Sequence, residues 1–288
     1  MGRVFTRSQL EQGRVPTAED FENAIGAFSE NIELGIRSGL IDGGAIFGSA
    51  AIKATSVRSD IDCMIVPVDQ SDESLAKVKS IVDKAADASR HTIPINAQAH
   101  SKVRLVNGRH EMDRFFGAHL IGGYRTVFGT DPAEYIHFPP DPADKVLFDY
   151  IRHKKRSING LFQASGSDEW YKGAQRILEL PNAIGRKALC VVDEIEATTR
   201  SERNVAHKGM MRDAAMNLFK ELGADETAQK LFDTEHDYND LLNDVLSRDI
   251  DSHEYEIILQ QNIDAVSARA SRWLDTLDDV FMDRFKQA

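Results

Sequence analysis

Cysteine is nearly absent from this 288-residue chain: Cys63 and Cys190 are the only two, too few for a disulfide framework to hold the fold. No apolar run is long enough to span a bilayer, and Met1 to Arg7 lack the apolar core of a signal peptide. The sequence therefore reads as a soluble cytoplasmic protein with no membrane partner. Positive charge is in deficit, with 35 Lys and Arg against 46 Asp and Glu. With a formal net charge of −11, a surface that wraps nucleic acid or anionic lipid over its whole area is excluded, so an anionic ligand has to meet a local basic patch. The glycines form neither a Walker loop nor a GxGxxG fingerprint, and the histidines show no HExxH spacing. Proline is sparse, yet Pro139, Pro140 and Pro142 crowd together in Phe138-Pro139-Pro140-Asp141-Pro142, a stiff connector that interrupts both helix and strand.

What remains is a chain with 42% hydrophobic residues, enough to bury the cores of two ordinary domains. The proline cluster divides it into 1–140 and 141–288. Thr17 and Asp20 form a capping-box-like start, after which Phe21, Ile25, Phe28, Ile32 and Ile36 recur at helical spacing up to Gly39. A strand follows into Gly44–Phe47, then a second from the Asp60 region. Ser71 caps a helix to about Ser89, with Leu75, Val78, Ile81 and Val82 inward. A third strand is expected over Thr92 to Ala99, an edge strand over Lys102 to Val106, and a helix over Met112 to Tyr124. Beyond the prolines the strand signal stops. Helices are expected over Ala143–Leu161, Asp168–Thr198, Asn204–Leu222, Asp225–Leu246 and His253–Phe285, which together suggest a bundle. The expected class is α+β, a mixed-sheet N-terminal domain with flanking helices followed by an all-helical C-terminal domain.

One constellation carries chemistry. Ile46-Phe47-Gly48-Ser49 ends an apolar run where a helix is expected to start, and Ser59-Asp60-Ile61-Asp62 opens the next apolar run. Two carboxylates one residue apart on a strand share a face and can share hard cations. Backbone N–H groups and the hydroxyl at Gly48 and Ser49 could hold a phosphate beside them. Alone, Asp-x-Asp is more often a solvated strand entrance; the Gly-Ser pair and the apolar run after the acids raise its weight.

With Arg58 and Ser59 just before the acids, these residues resemble the nucleotidyltransferase superfamily typified by DNA polymerase β. The likeness covers about residues 17 to 135. It implies a mixed sheet with its catalytic strands in a cleft, two Mg²⁺ ions (or Mn²⁺) on Asp60 and Asp62, and a nucleoside triphosphate whose tail is held by Gly48, Ser49, Arg58 and Ser59. A nucleoside monophosphate would pass to an acceptor hydroxyl with release of pyrophosphate. The acceptor is left open among a nucleic-acid 3′ end, a protein hydroxyl, a small molecule and a second nucleotide, as is any oligomer. A toxin–antitoxin or antiphage setting follows from the resemblance alone.

The chain departs from the family pattern where a third acid is expected. His91-Thr92-Ile93-Pro94-Ile95-Asn96-Ala97-Gln98-Ala99-His100 contains no carboxylate, and Asn96 is the candidate for that position. An amide can ligate a cation through its carbonyl but brings no negative charge and is no base at neutral pH. Three explanations stand open: an acid deliberately replaced, an acid supplied by Glu111 or Asp113, or a module that binds nucleotide without turnover. His100, on the same strand face, is a further candidate base, although an ordinary strand-end histidine is the commoner case.

Basic candidates lie in the C-terminal half. Arg152-His153-Lys154-Lys155-Arg156 is either a solvated helix face or a phosphate-attracting patch. Lys172 and Arg176, four residues apart beside Trp170 and Tyr171, are candidate triphosphate contacts. Arg200 and His207 have a spacing found in HEPN ribonucleases, but the pair is common and a charged helix surface is much the more frequent reading.

Overall fold

The computed structural model describes residues 5, 9–10, 15–51, 55, 58–109, 125–134, 136–137, 143–160, 173–177, 180, 216–217, 219–220, 223, 225–247 and 251–287. The chain is α+β and divides into two compact units, one built on Pro16–Pro140 and the other on Met1–Val15 with Asp141–Ile195 and Ala206–Ala288. The residues before Pro16, read from sequence as part of the N-terminal half, thus group with the helices.

In the first unit, helix α1 (Ala18–Arg37) starts on a reciprocal cap. Thr17 accepts a bond from the Asp20 N–H, and Asp20 accepts one from the Thr17 N–H, so two otherwise orphaned donors are satisfied. Its apolar stripe, Phe21, Ala24, Phe28 and Ile32, is buried. Each of the fully buried large side chains contributes about 1.5–3 kcal/mol. Strands β1 (Ile41–Phe47) and β2 (Ile61–Pro67) pair antiparallel. Helix α2 (Asp72–Ala88), capped by Ser71, then leads to β3 (Ile95–Ala99), which pairs parallel with β2. Strand β4 (Arg125–Gly129) pairs antiparallel with β1, giving a mixed sheet in the order β3-β2-β1-β4.

The two-residue alternation of a strand sorts β1 and β2 between two cores. Ile46, Ile61, Cys63 and Ile65 pack with α1 and α2. Ala45, Phe47, Met64 and Val66 form a second cluster on the other face with Leu105. Burial on both faces explains why these strands read as continuous apolar runs.

Several expectations are corrected. Lys102–Val106 is a short helix, α3, rather than an edge strand. Its alternating Val103-Arg104-Leu105-Val106 mimics strand periodicity, but Leu105 alone is buried, beneath the second cluster, while Val103 and Val106 are exposed. β3 begins at Ile95, because Arg90 and His91 take left-handed turns after α2 and Pro94 contributes only its carbonyl, to the Ile61 N–H at 3.0 Å. Leu75 is exposed: at about 3.6 residues per turn, Ser74, Val78, Ile81 and Ala85 make the buried stripe of α2 and Leu75 falls on its rim. The helix expected over Met112–Tyr124 lies outside the described residues.

In the second unit, α4 (Ala143–Gly160), α5 (Asp225–Ser247) and α6 (Ser252–Gln287) match the helical expectation. Among the described residues of this unit regular structure is helical throughout. Lys155 on α4 bonds Asp275 at 2.6 Å and Asp278 at 3.2 Å on α6. Buried Gln175 clasps the N-terminal segment, accepting from the Phe5 N–H at 2.9 Å and donating to the Phe5 carbonyl at 2.8 Å. Among the described residues no helix is long and apolar enough to cross a membrane.

Candidate active site

The sheet brings the Gly-Ser and Asp-x-Asp segments together at one end. Register pairs Phe47, the last residue of β1, with Asp62, the second of β2. The chain then turns at Gly48, whose φ of 75° suits a residue without a Cβ. The Ala51 N–H closes that turn on the Gly48 carbonyl at 3.2 Å. The helix expected to begin here falls on positions largely outside the described residues. Ser49, half-buried, donates its hydroxyl to Ser59 Oγ at 3.3 Å, so the turn after β1 touches the lead-in to β2.

Asp62 has the parity of Met64 and Val66, the face turned away from α1 and α2, and Asp60 lies just before β2 begins. Both acids are half-buried. β3 supplies the third member: Asn96 stands in parallel register with Asp62, and its Nδ2 donates to Asp62 Oδ1 at 2.8 Å. This amide-to-carboxylate bond was not foreseen from the sequence. The parity of Asn96 was legible there, but the register that sets it beside Asp62 was not.

Other candidates fall differently. Arg58 and Ser59 are buried, at 8% and 5% exposed. His100 is four residues beyond Asn96, about 13 Å along a strand. Its backbone N–H bonds the Ile65 carbonyl at the opposite end of β2, which removes it as a base for chemistry at Asp62. Cys63 points to the helix-side core; burial, and then the negative charge of Asp62, push its thiol far above the ordinary range, so it is no nucleophile.

Lys172, Glu111, Asp113, Arg200 and His207 lie outside the described residues. Arg176 is exposed on a helical turn of the second unit. The basic run on α4 is partly committed: Asp275 and then Asp278 hold the Lys155 ammonium above its ordinary value, while Arg152 lies 5.3 Å from the Phe148 ring centroid and Lys154 lies 5.1 Å from that of Tyr150. These contacts favour the surface-helix reading for Lys155 over a phosphate-seeking role.

Among the described residues no group of three or more His, Cys, Asp or Glu side chains could hold a metal ion. The oxygen donors this segment offers are the carboxylates of Asp60 and Asp62, the carbonyl of Asn96 beside Asp62, and the hydroxyls of the Ser49–Ser59 pair, all hard ligands. That set suits Mg²⁺, which characteristically takes one or two carboxylates and completes its shell with water and substrate phosphate. Comparison with known protein-family models gives no match, and no curated protein matches the chain.

Proposed function

We propose that this protein is a metal-dependent nucleotidyltransferase whose site lies at the Asp60/Asp62 end of the sheet. The observation that carries the reading is the convergence of Ser49 on Ser59 and of Asn96 on Asp62, four positions from three separate strands or their flanks. Ser49 and the N–H groups of the turn at Gly48 would receive phosphate oxygens, and Asp60 and Asp62 would hold the divalent cation. When bound, that cation neutralises charge on the phosphates and on the attacking and leaving oxygens. The acceptor hydroxyl would attack the α-phosphorus, the α–β P–O bond would break, and pyrophosphate would leave. The acceptor proton must go to a base other than residue 96, which is an amide. Lys172 and Arg176 as triphosphate contacts rest on the sequence resemblance alone.

The test is incubation with each labelled nucleoside triphosphate and Mg²⁺, measuring pyrophosphate release and the fate of the label. Release should be lost in Asp60→Ala and Asp62→Ala, and weakened in Ser49→Ala chiefly through nucleotide affinity. Release undiminished in both aspartate variants would refute the assignment. The bond from Asn96 to Asp62 favours a second reading, a nucleotide-binding module without turnover. Saturable nucleotide binding without pyrophosphate from either wild type or Asn96→Asp would select it.

A further inference from the structure

Resting on the reading of this end of the sheet as a nucleotide site, we propose that Asn96 is a positioning residue that makes cation entry conditional on nucleotide. Its Nδ2–H now occupies Asp62 Oδ1 at 2.8 Å. An N–H donor aimed at a carboxylate lone pair excludes a cation from that lone pair, because both compete for the same electrons and the amide proton repels the cation. The same side chain, rotated about its terminal bond, presents Oδ1 as a neutral cation ligand. The two orientations are mutually exclusive. Asn96 is exposed and therefore has room to rotate, whereas Asp62 is anchored within β2.

Charge count sets which orientation prevails. A carboxylate at position 96 would place a third negative charge beside Asp60 and Asp62 and favour a cation even in the absence of nucleotide. The amide removes that charge and, by bonding Asp62, stabilises the cation-free arrangement. Mg²⁺ gives up its water reluctantly and is rarely caged by two carboxylates alone. Phosphate oxygens arriving with a triphosphate supply the missing negative ligands, at which point the amide turns and the cation is admitted. The site as built takes one cation together with the nucleotide rather than standing preloaded.

The experiment measures binding rather than turnover. Free Mn²⁺ is followed by electron paramagnetic resonance in wild type, Asn96→Asp and Asn96→Leu without nucleotide, and a fluorescent nucleoside triphosphate mixture is titrated with and without Mn²⁺. Wild type should show no saturable Mn²⁺ uptake up to about 1 mM, while Asn96→Asp should bind at least about tenfold more tightly, since affinity follows ligand charge. Wild-type nucleotide affinity should rise with Mn²⁺, and Asn96→Leu, which lacks both donor and acceptor, should lose most of that rise. Tight Mn²⁺ uptake by nucleotide-free wild type, equal to that of Asn96→Asp, would overturn the gating while leaving the nucleotide site standing. No nucleotide binding by any form, with melting temperatures unchanged, would overturn the site and the gating together.

Discussion

Replacing Gly43 with alanine tests the sheet that holds the site. A Cβ at Gly43 would sit 2.1 Å from the Thr130 carbonyl oxygen, 2.5 Å from the Thr130 nitrogen and 2.7 Å from the Phe128 carbonyl oxygen. All three are backbone atoms, so no side chain can rotate aside. Relief requires β4 to move from β1 by roughly 1 Å, an overpacking response that costs about 1–3 kcal/mol. That movement also strains the bond from the Thr130 N–H to the Asp42 carbonyl, now 3.1 Å, worth a further 1 kcal/mol or so. A net loss of about 2–4 kcal/mol is expected. Gly26→Ala is the matched control: nothing lies within 4 Å of its would-be Cβ, and within α1 the change should stabilise by about 0.5–1 kcal/mol. One methyl group thus has opposite signs at two positions. Urea denaturation gives the stabilities, and hydrogen exchange should show faster loss of β4 amide protection in Gly43→Ala alone. A Gly43→Ala protein within about 0.5 kcal/mol of wild type would refute the close approach of β1 and β4.

Two further outcomes are expected in the helical unit. Lys155→Met should destabilise by about 1–2 kcal/mol, between the values for exposed and buried pairs, because it strips the ammonium from Asp278, whose side chain is 15% exposed. The Lys155 value is raised on folding, so its contribution is fully present below the ordinary value of 10.5 and is lost as pH rises through the folded value. The melting-temperature gap between wild type and Lys155→Met should therefore be flat through neutral pH and close only in strong alkali; a gap that closes near neutrality would contradict the ion pair. Gln175→Ala should cost about 2–4 kcal/mol by removing both buried hydrogen bonds to the Phe5 backbone. Hydrogen exchange at the Phe5 amide should accelerate in that variant, and unchanged exchange with unchanged melting would show that the clasp does not hold this residue.

Much of the fold was legible because local signals agreed with packing. The Thr17/Asp20 cap, the stripe from Phe21 to Ile32 and the Ser71 cap each needed only neighbours in sequence. Strand parity put Asp60 and Asp62 on one face before any pairing was known. What escaped depended on distant partners. Arg125–Gly129 carries the strand formers Thr126, Val127 and Phe128, but so short a run is fixed as a strand only where β1 offers its free edge, and α3 reads as a strand unless the second core beneath Leu105 is known. At the site, the likeness of Asn96 to a third-acid position came from residue type and order. Its bond to Asp62 required the parallel register of β2 and β3, a relation between residues 34 positions apart that no local pattern encodes.

Cys63 gives the strand bearing the acids a clock of its own. Sealed in the helix-side core and held as a neutral thiol, it cannot meet an alkylating reagent while β2 stays paired and α1 and α2 cover it. Its modification rate in native buffer therefore counts openings of that strand. If a ligand tightens the Asp62 end of the sheet, the count should slow, giving a readout of occupancy that needs neither a known acceptor nor a detectable product.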